Sequence, residues 1–156
     1  MTAVKAIPDN YPRLNPYITM KGAADATQFY TKVLGFRQRG DVMPGPNGTI
    51  GHAELELGSS ILMLADPDPM TGAKTAKDLG GSPVNLCVYV QDVDKVFKAA
   101  KDNKAKVVQD VETKFYGDRS GTFQDPWGYT WTVMTHVEDV APEEMGRRVQ
   151  EMMQKA

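Results

Sequence analysis

His52, Glu54 and Glu56 alternate with Ala53, Leu55 and Leu57 between Gly51 and Gly58. That is the period of a strand with one packed and one polar side. A histidine beside two carboxylates can pass a proton or take part in a metal site. Residues two apart on a strand recur about 6.6 Å apart, twice the rise per residue, so convergence on one ion needs a donor from elsewhere. His52 and Glu54 are therefore candidate catalytic residues, with a structural or exposed role as the alternative. His136, the other histidine of two, falls past the last apolar run and reads as structural. Asn15, Tyr17 and Thr19 alternate on one short segment, and Asn85, Cys87 and Tyr89 repeat the pattern seventy residues later. Tyr116, Asp118 and Arg119 read as a loop before the seventh strand; Arg119 could clamp a ligand carboxylate, or Asp118 could hold it as a staple. Cys87 reads as an inert apolar filler on a buried strand.

The elements that must carry these residues form one unit written twice. Asn15–Met20, a helix through Gln28–Phe36, and strands ending at Ile61–Leu64 are echoed by Asn85–Val90, a helix over 92–102, and strands ending at Trp131–Met134. Ala26, Phe29, Tyr30, Val33 and Leu34 lie at helical spacing, as do Val93, Val96, Phe97 and Ala100. At about fifty residues neither half buries a large core alone, which predicts a shared sheet with a ligand cleft between the modules. The expected architecture is α+β: one domain over 1–156, with βαβββ modules at 13–66 and 83–136, a Pro/Gly-rich connection at 67–82, and a helical tail over 137–156 opening at Pro142-Glu-Glu.

Composition excludes several function classes. A formal net charge of −2, with Lys and Arg spread along the chain, does not suit nucleic acid or an anionic membrane. No run approaches the ~20 apolar residues of a membrane span, and a single cysteine rules out an internal disulfide. Cytoplasm is the expected location. No phosphate-binding glycine loop, paired-cysteine motif or Gly-x-Ser-x-Gly elbow occurs.

The repeated module, the segment Gln28-Phe-Tyr-Thr-Lys-Val-Leu-Gly-Phe36 and the signature Asp118-Arg-Ser-Gly-Thr-Phe-Gln-Asp-Pro-Trp-Gly128 together resemble the vicinal oxygen chelate superfamily of glyoxalases, bleomycin-resistance proteins and extradiol dioxygenases. Ile50-Gly-His-Ala-Glu-Leu, Phe115–Gly121 and Thr135-His-Val-Glu-Asp139 further resemble its PhnB-like branch. The resemblance covers residues 12–140. It implies a curved mixed sheet forming a cup, and four metal-ligand positions on the first and last strand of each module. These fall on Asn15, Met63, Asn85 and Thr132 here: two amides, a thioether and a hydroxyl, which do not suit a divalent ion. It also implies that Asn15, Tyr17, Thr19, Asn85, Cys87 and Tyr89 line the cup, with Met63, Trp131 and Met134 beside them; filling the core is the alternative for these positions.

The expected function is metal-independent binding of a small, weakly polar or aromatic molecule, with no cofactor, by a homodimer. Its binding residues would be Asn15, Tyr17, Thr19, His52, Met63, Asn85, Tyr89, Tyr116, Arg119, Trp131 and Thr132. The alternative is a divalent-metal-dependent lyase, isomerase or dioxygenase of glyoxalase type, using His52 or Glu54.

Overall fold

The computed structural model describes residues 4–155. The chain divides into two compact units, one through Gly81 and one from Ser82, and each repeats the order βαβββ.

In the first unit the strands are β1 (Tyr17–Thr19), β2 (Arg37–Pro44), β3 (Ile50–Leu57) and β4 (Ser60–Ala65), and helix α1 (Ala23–Phe29) follows β1. The sheet order is β1-β4-β3-β2, with β1 parallel to β4 and the other pairs antiparallel. Helix α1 has no side-chain cap of its own. Instead the Asp66 carboxylate, just past β4, accepts from Gly22 N at 2.7 Å and Ala23 N at 3.4 Å, and also from Ile50 N at 2.9 Å. One carboxylate thus satisfies orphan donors at the helix start, where the dipole favours it, and ties β3 to the same point. The predicted helix through Phe36 continues as a π-helical turn, Tyr30–Leu34, and stops at Gly35 with φ 80°, a left-handed ending that glycine adopts without strain. Phe29, Tyr30, Val33 and Leu34 are buried with Ile18, Ala53, Leu55, Leu62 and Leu64.

The second unit holds β5 (Asn85–Tyr89), α2 (Val93–Asp102), β6 (Lys106–Thr113), β7 (Asp118–Gln124) and β8 (Thr130–His136), in the sheet order β5-β8-β7-β6. Asp92 caps α2 through its side chain, which accepts from Lys95 N at 3.0 Å. The helix settles on the sheet through Phe97, whose ring meets Phe123 edge to face at 5.5 Å. A Cβ on Gly121 would lie 2.5 Å from the Phe97 ring, so glycine is what admits the helix there. A last helix, α3 (Pro142–Lys155), follows β8.

The α+β class, the tandem modules and the C-terminal helix agree with the sequence reading. The strands, however, sort into two four-stranded sheets, one per module. Each sheet buries one face beneath its own helix, so a module of this size acquires a core without lending strands to a common sheet. Among the described residues no helix is long and apolar enough to cross a membrane.

Candidate functional site

The opposite face of the first sheet carries the polar residues. Strand β3 buries Ala53 and Leu55 and leaves His52 and Glu54 half-buried. Strand registers align Tyr17 of β1, Met63 of β4, Glu54 of β3 and Arg39 of β2 in one row. Paired residues in a row share a face. Glu54 is the hub: Tyr11 Oη donates to its Oε1 at 2.7 Å, Arg39 pairs with Oε2, and His52 Nε2 lies 3.3 Å from Oε1. The Arg39 guanidinium sits 4.4 Å from the Tyr11 ring centroid, and its Nη2 donates to the Asn10 carbonyl at 3.1 Å. Burial acts to raise the Glu54 pKa, but the hydrogen bonds from Tyr11, His52 and Arg39 outweigh it and hold the carboxyl below its ordinary value. Residues two apart on β3 thus meet through their side chains, which the Cα spacing alone did not foretell.

Tyr17 continues the chain. Its Oη lies 3.1 Å from His52 Nδ1, with the rings tilted at 37°. An ionised carboxylate only accepts, so in the neutral imidazole Nε2 carries the hydrogen toward Glu54 and Nδ1 is the acceptor for the Tyr17 hydroxyl. Burial raises the phenol pKa of Tyr17, although the residue keeps 52% of its surface exposed.

That exposed side opens on a pocket of about 530 Å³ within the first unit. Tyr17, Thr19, Ile50 and Ala65 lie along it, and its walls are two loops, Gly45–Thr49 and Asp66–Ala73. A Cβ on Gly45 would come within 2.5 Å of Thr49 Oγ1 and 3.1 Å of Gly51 N, so the first wall depends on glycine. The second wall is organised by Asp66, the carboxylate that caps α1.

The other candidate positions fall in several environments. Asn15 is half-buried; its amide donates to Pro12 O at 2.8 Å, and its Oδ1 is buried with no hydrogen-bond partner. In the second unit Asn85 and Tyr89 are exposed, and the Asn85 amide donates to Thr132 Oγ1 at 2.8 Å, which is 3.0 Å from Thr122 Oγ1. Tyr89 donates to Asp118 at 2.8 Å, and Asp118 and Asp139 flank His136 at 2.8 and 2.9 Å. Tyr116 is exposed and packs edge to face on Phe115 at 5.3 Å.

Several expectations require correction. Trp131 is not a lining residue: it is 1% exposed, with its indole N–H donating to Asp125 at 2.9 Å, because its register partners Phe123 and Leu86 share the helix-side face. Asp118 and Arg119 belong to β7 rather than a loop. Adjacent strand residues point to opposite faces, so Arg119 turns from Asp118 to a two-point pair with Asp94 of α2, both contacts at 2.7 Å. Cys87 is exposed, not buried, and His136 ends β8 rather than following it.

The superfamily's metal positions do not fit an ion here. The orphaned acceptor at Asn15, Oδ1, belongs to a neutral amide; Met63 offers a soft thioether, and Asn85 already engages Thr132. Among the described residues no group of three or more His, Cys, Asp or Glu is placed to hold a metal. Sequence reading missed Tyr11 and Arg39, which lie outside any chemical motif, and the pocket walls, legible only as Pro/Gly-rich loops.

Known proteins share this architecture. The family model described as Glyoxalase/Bleomycin resistance protein/Dioxygenase superfamily matches residues 13–133. An uncharacterized protein of Mycobacterium bovis, Mb0911c, is 38% identical over 137 residues, 86% of this chain and 90% of its own length. Among solved structures, TioX from Micromonospora sp. ML1 is similar with a TM-score of 0.61 and 26% identity, over 81% of this chain and 99% of that one. A PhnB protein from Bacillus cereus shares the fold at a TM-score of 0.55 and 18% identity, over 80% of this chain and 99% of that one.

Proposed function

Since the chain belongs to the Glyoxalase/Bleomycin resistance protein/Dioxygenase superfamily, a group whose members bind or transform small molecules, we propose that it binds a small, weakly polar or aromatic molecule without a metal, in the pocket of its first unit. The observation that carries this reading is the pocket itself: 530 Å³ of space beside the Tyr17 ring, Thr19, Ile50 and Ala65, a mostly apolar concavity with a few polar groups of the kind small ligands occupy. The ring offers a stacking surface, while the Asn47 amide of the first wall supplies hydrogen bonds that orient a polar substituent.

Metal independence is supported by the donor chemistry at Asn15, Met63, Asn85 and Thr132. A homodimer in the cytoplasm is the proposed working state, supported by the frequency of two-fold assembly and by a lone free cysteine. The test is a titration of chelator-treated protein with the neutral aromatic ketone 2-tetralone, followed by amide NMR. Shifts should cluster at Tyr17, Thr19, Ile50, Ala65 and the two loops, with saturation unaffected by added zinc or nickel. Shifts confined to other residues, or binding that returns only with metal, would overturn the proposal. Sedimentation at micromolar concentration tests the dimer against the 17.2 kDa chain mass.

A further inference from the structure

The second unit has a histidine cluster of its own, and it joins a strand end to the chain that leads into α3. His136 closes β8; its Nδ1 lies 2.8 Å from Asp118 Oδ1 of β7, and its Nε2 lies 2.9 Å from Asp139 Oδ1. Asp139 belongs to the connector between β8 and α3, residues 137–141. We propose that His136 is a pH-operated latch for this connector: the imidazolium holds Asp118 and Asp139 together, and loss of one ring proton frees the Asp139 side. The proposal is independent of the pocket in the first unit.

An imidazolium donates from both nitrogens, whereas the neutral ring has one N–H and one lone pair. One of the two carboxylates must then face the lone pair. They are not equivalent. Asp118 is 5% exposed, and its Oδ2 accepts from Tyr89 Oη at 2.8 Å, so withdrawing the His136 donor would leave a buried charge short of a partner. Asp139 is fully exposed, and among the described residues its side chain bonds to His136 alone, so water replaces the histidine there at little cost. The remaining hydrogen therefore stays on Nδ1, Nε2 turns its lone pair toward Asp139, and that carboxylate swings into solvent.

The flanking contacts confine the motion. Val137 N and Glu138 N donate to Gly117 O at 2.9 and 3.0 Å. Arg148 of α3 grips the Glu138 carboxylate at 2.6 and 2.9 Å and donates to Phe115 O at 3.0 Å. Both ties lie outside the span from Asp139 to Ala141, so the latch governs residues 139–141 and leaves α3 docked. The other titratable neighbours do not oppose it. Tyr89 of β5, raised by its bond to Asp118, keeps its proton while the histidine titrates. Tyr116 and Cys87 act on Tyr89 rather than on the ring, and Glu138 and Arg148 satisfy each other. Met134 and Ser120, one register step along β8 and β7, carry no charge. Asp118 most, and then Asp139, favour the charged ring, so the latch is closed at acidic pH and opens as pH rises through a midpoint above 6.5.

The test is the steady-state heteronuclear NOE of the backbone amides of residues 139–141, read at pH values on both sides of the His136 midpoint, which proton NMR locates. The NOE should be high below the midpoint and fall above it with the same midpoint, while the amides of Val137 and Glu138 keep theirs. His136→Gln should remove the pH dependence. Asp139→Asn, whose amide N–H₂ can donate to the ring's lone pair, should keep the segment ordered on both sides. Far-UV circular dichroism checks that each variant is folded. A wild-type NOE that does not change through the midpoint, a fall that persists in His136→Gln, or a fall in Asp139→Asn as large as the wild type's overturns the latch. Nitrogen-15 NMR of the ring supplies an independent test: above the midpoint the hydrogen must sit on Nδ1, and finding it on Nε2 overturns the proposal.

Discussion

Replacing Asp125 tests whether the Asp-Pro-Trp-Gly turn works as a structural clamp rather than as part of a binding site. Asp125 is 4% exposed. Its Oδ1 accepts from Trp127 N at 2.9 Å and Tyr129 N at 3.0 Å, and its Oδ2 from Trp131 Nε1 at 2.9 Å. Asp125→Ala strands two buried donors, those of Tyr129 and Trp131, and a half-buried one on Trp127. Each buried donor left unmet costs about 1–3 kcal/mol, so the two together should cost about 2–6 kcal/mol. Asp125→Asn keeps an oxygen for the two backbone donors but turns an amide N–H₂ toward the indole N–H, which should cost about 1–3 kcal/mol. Trp131→Phe removes that opposing donor, so the asparagine substitution should cost about 1 kcal/mol less in its presence. Urea unfolding of the four proteins of this cycle and of Asp125→Ala, followed by far-UV circular dichroism, measures these costs. If Asp125→Asn proves as costly as Asp125→Ala, or if its cost is the same with and without Trp131, the turn is not a clamp of this kind.

Three further outcomes are expected. His136 lies between Asp118 and Asp139, which raise its pKa above the ordinary 6.5, Asp118 contributing most; its stabilising contribution is therefore complete below 6.5 and disappears as pH rises through the elevated folded value. Proton NMR should show the His136 midpoint falling in Asp118→Asn, and an unchanged midpoint refutes the assignment. Glu144 is drawn down to about 2 by Arg147 and then Arg148; the stability it lends α3 is present above the ordinary 4.5 and is lost as pH falls from there through about 2. Carboxyl carbon NMR should find that midpoint higher in Arg147→Gln, whereas no movement would assign the effect elsewhere. Gly45→Ala should weaken 2-tetralone binding while leaving the fold intact, since the new Cβ must displace Thr49 and the backbone at Gly51; equal affinity in the titration would show that this wall plays no part.

The repeat was legible because binary patterning is local. The alternation at His52–Leu57 separated the buried Ala53 and Leu55 from the polar side of β3, and the spacing of Val93, Phe97 and Ala100 marked the buried stripe of α2. Pro142 with two following acidic residues marked where α3 begins. The alternation placed His52 and Glu54 on one strand face, and Tyr17 could be singled out by residue type and strand position, but nothing in the sequence tied Tyr17, Tyr11 or Arg39 to that pair.

Those ties are matters of register. Tyr17 meets His52 across β1 and β3, 35 positions apart, and Arg39 reaches Glu54 because β2 pairs with β3. Trp131 and Thr132 show how sharply this decides: neighbours in sequence, they stand on opposite faces of β8, one sealed over Asp125 and the other bonded to Asn85. The sequence by itself determined which segments would be strands and helices, and that the unit is repeated, since both follow from periodicity within a dozen residues. Which side chains met across the strands, which carboxylate each arginine found and where the pocket opened were decided by the tertiary structure, because strand pairing fixes contacts between residues whose separation along the chain carries no signal of their meeting.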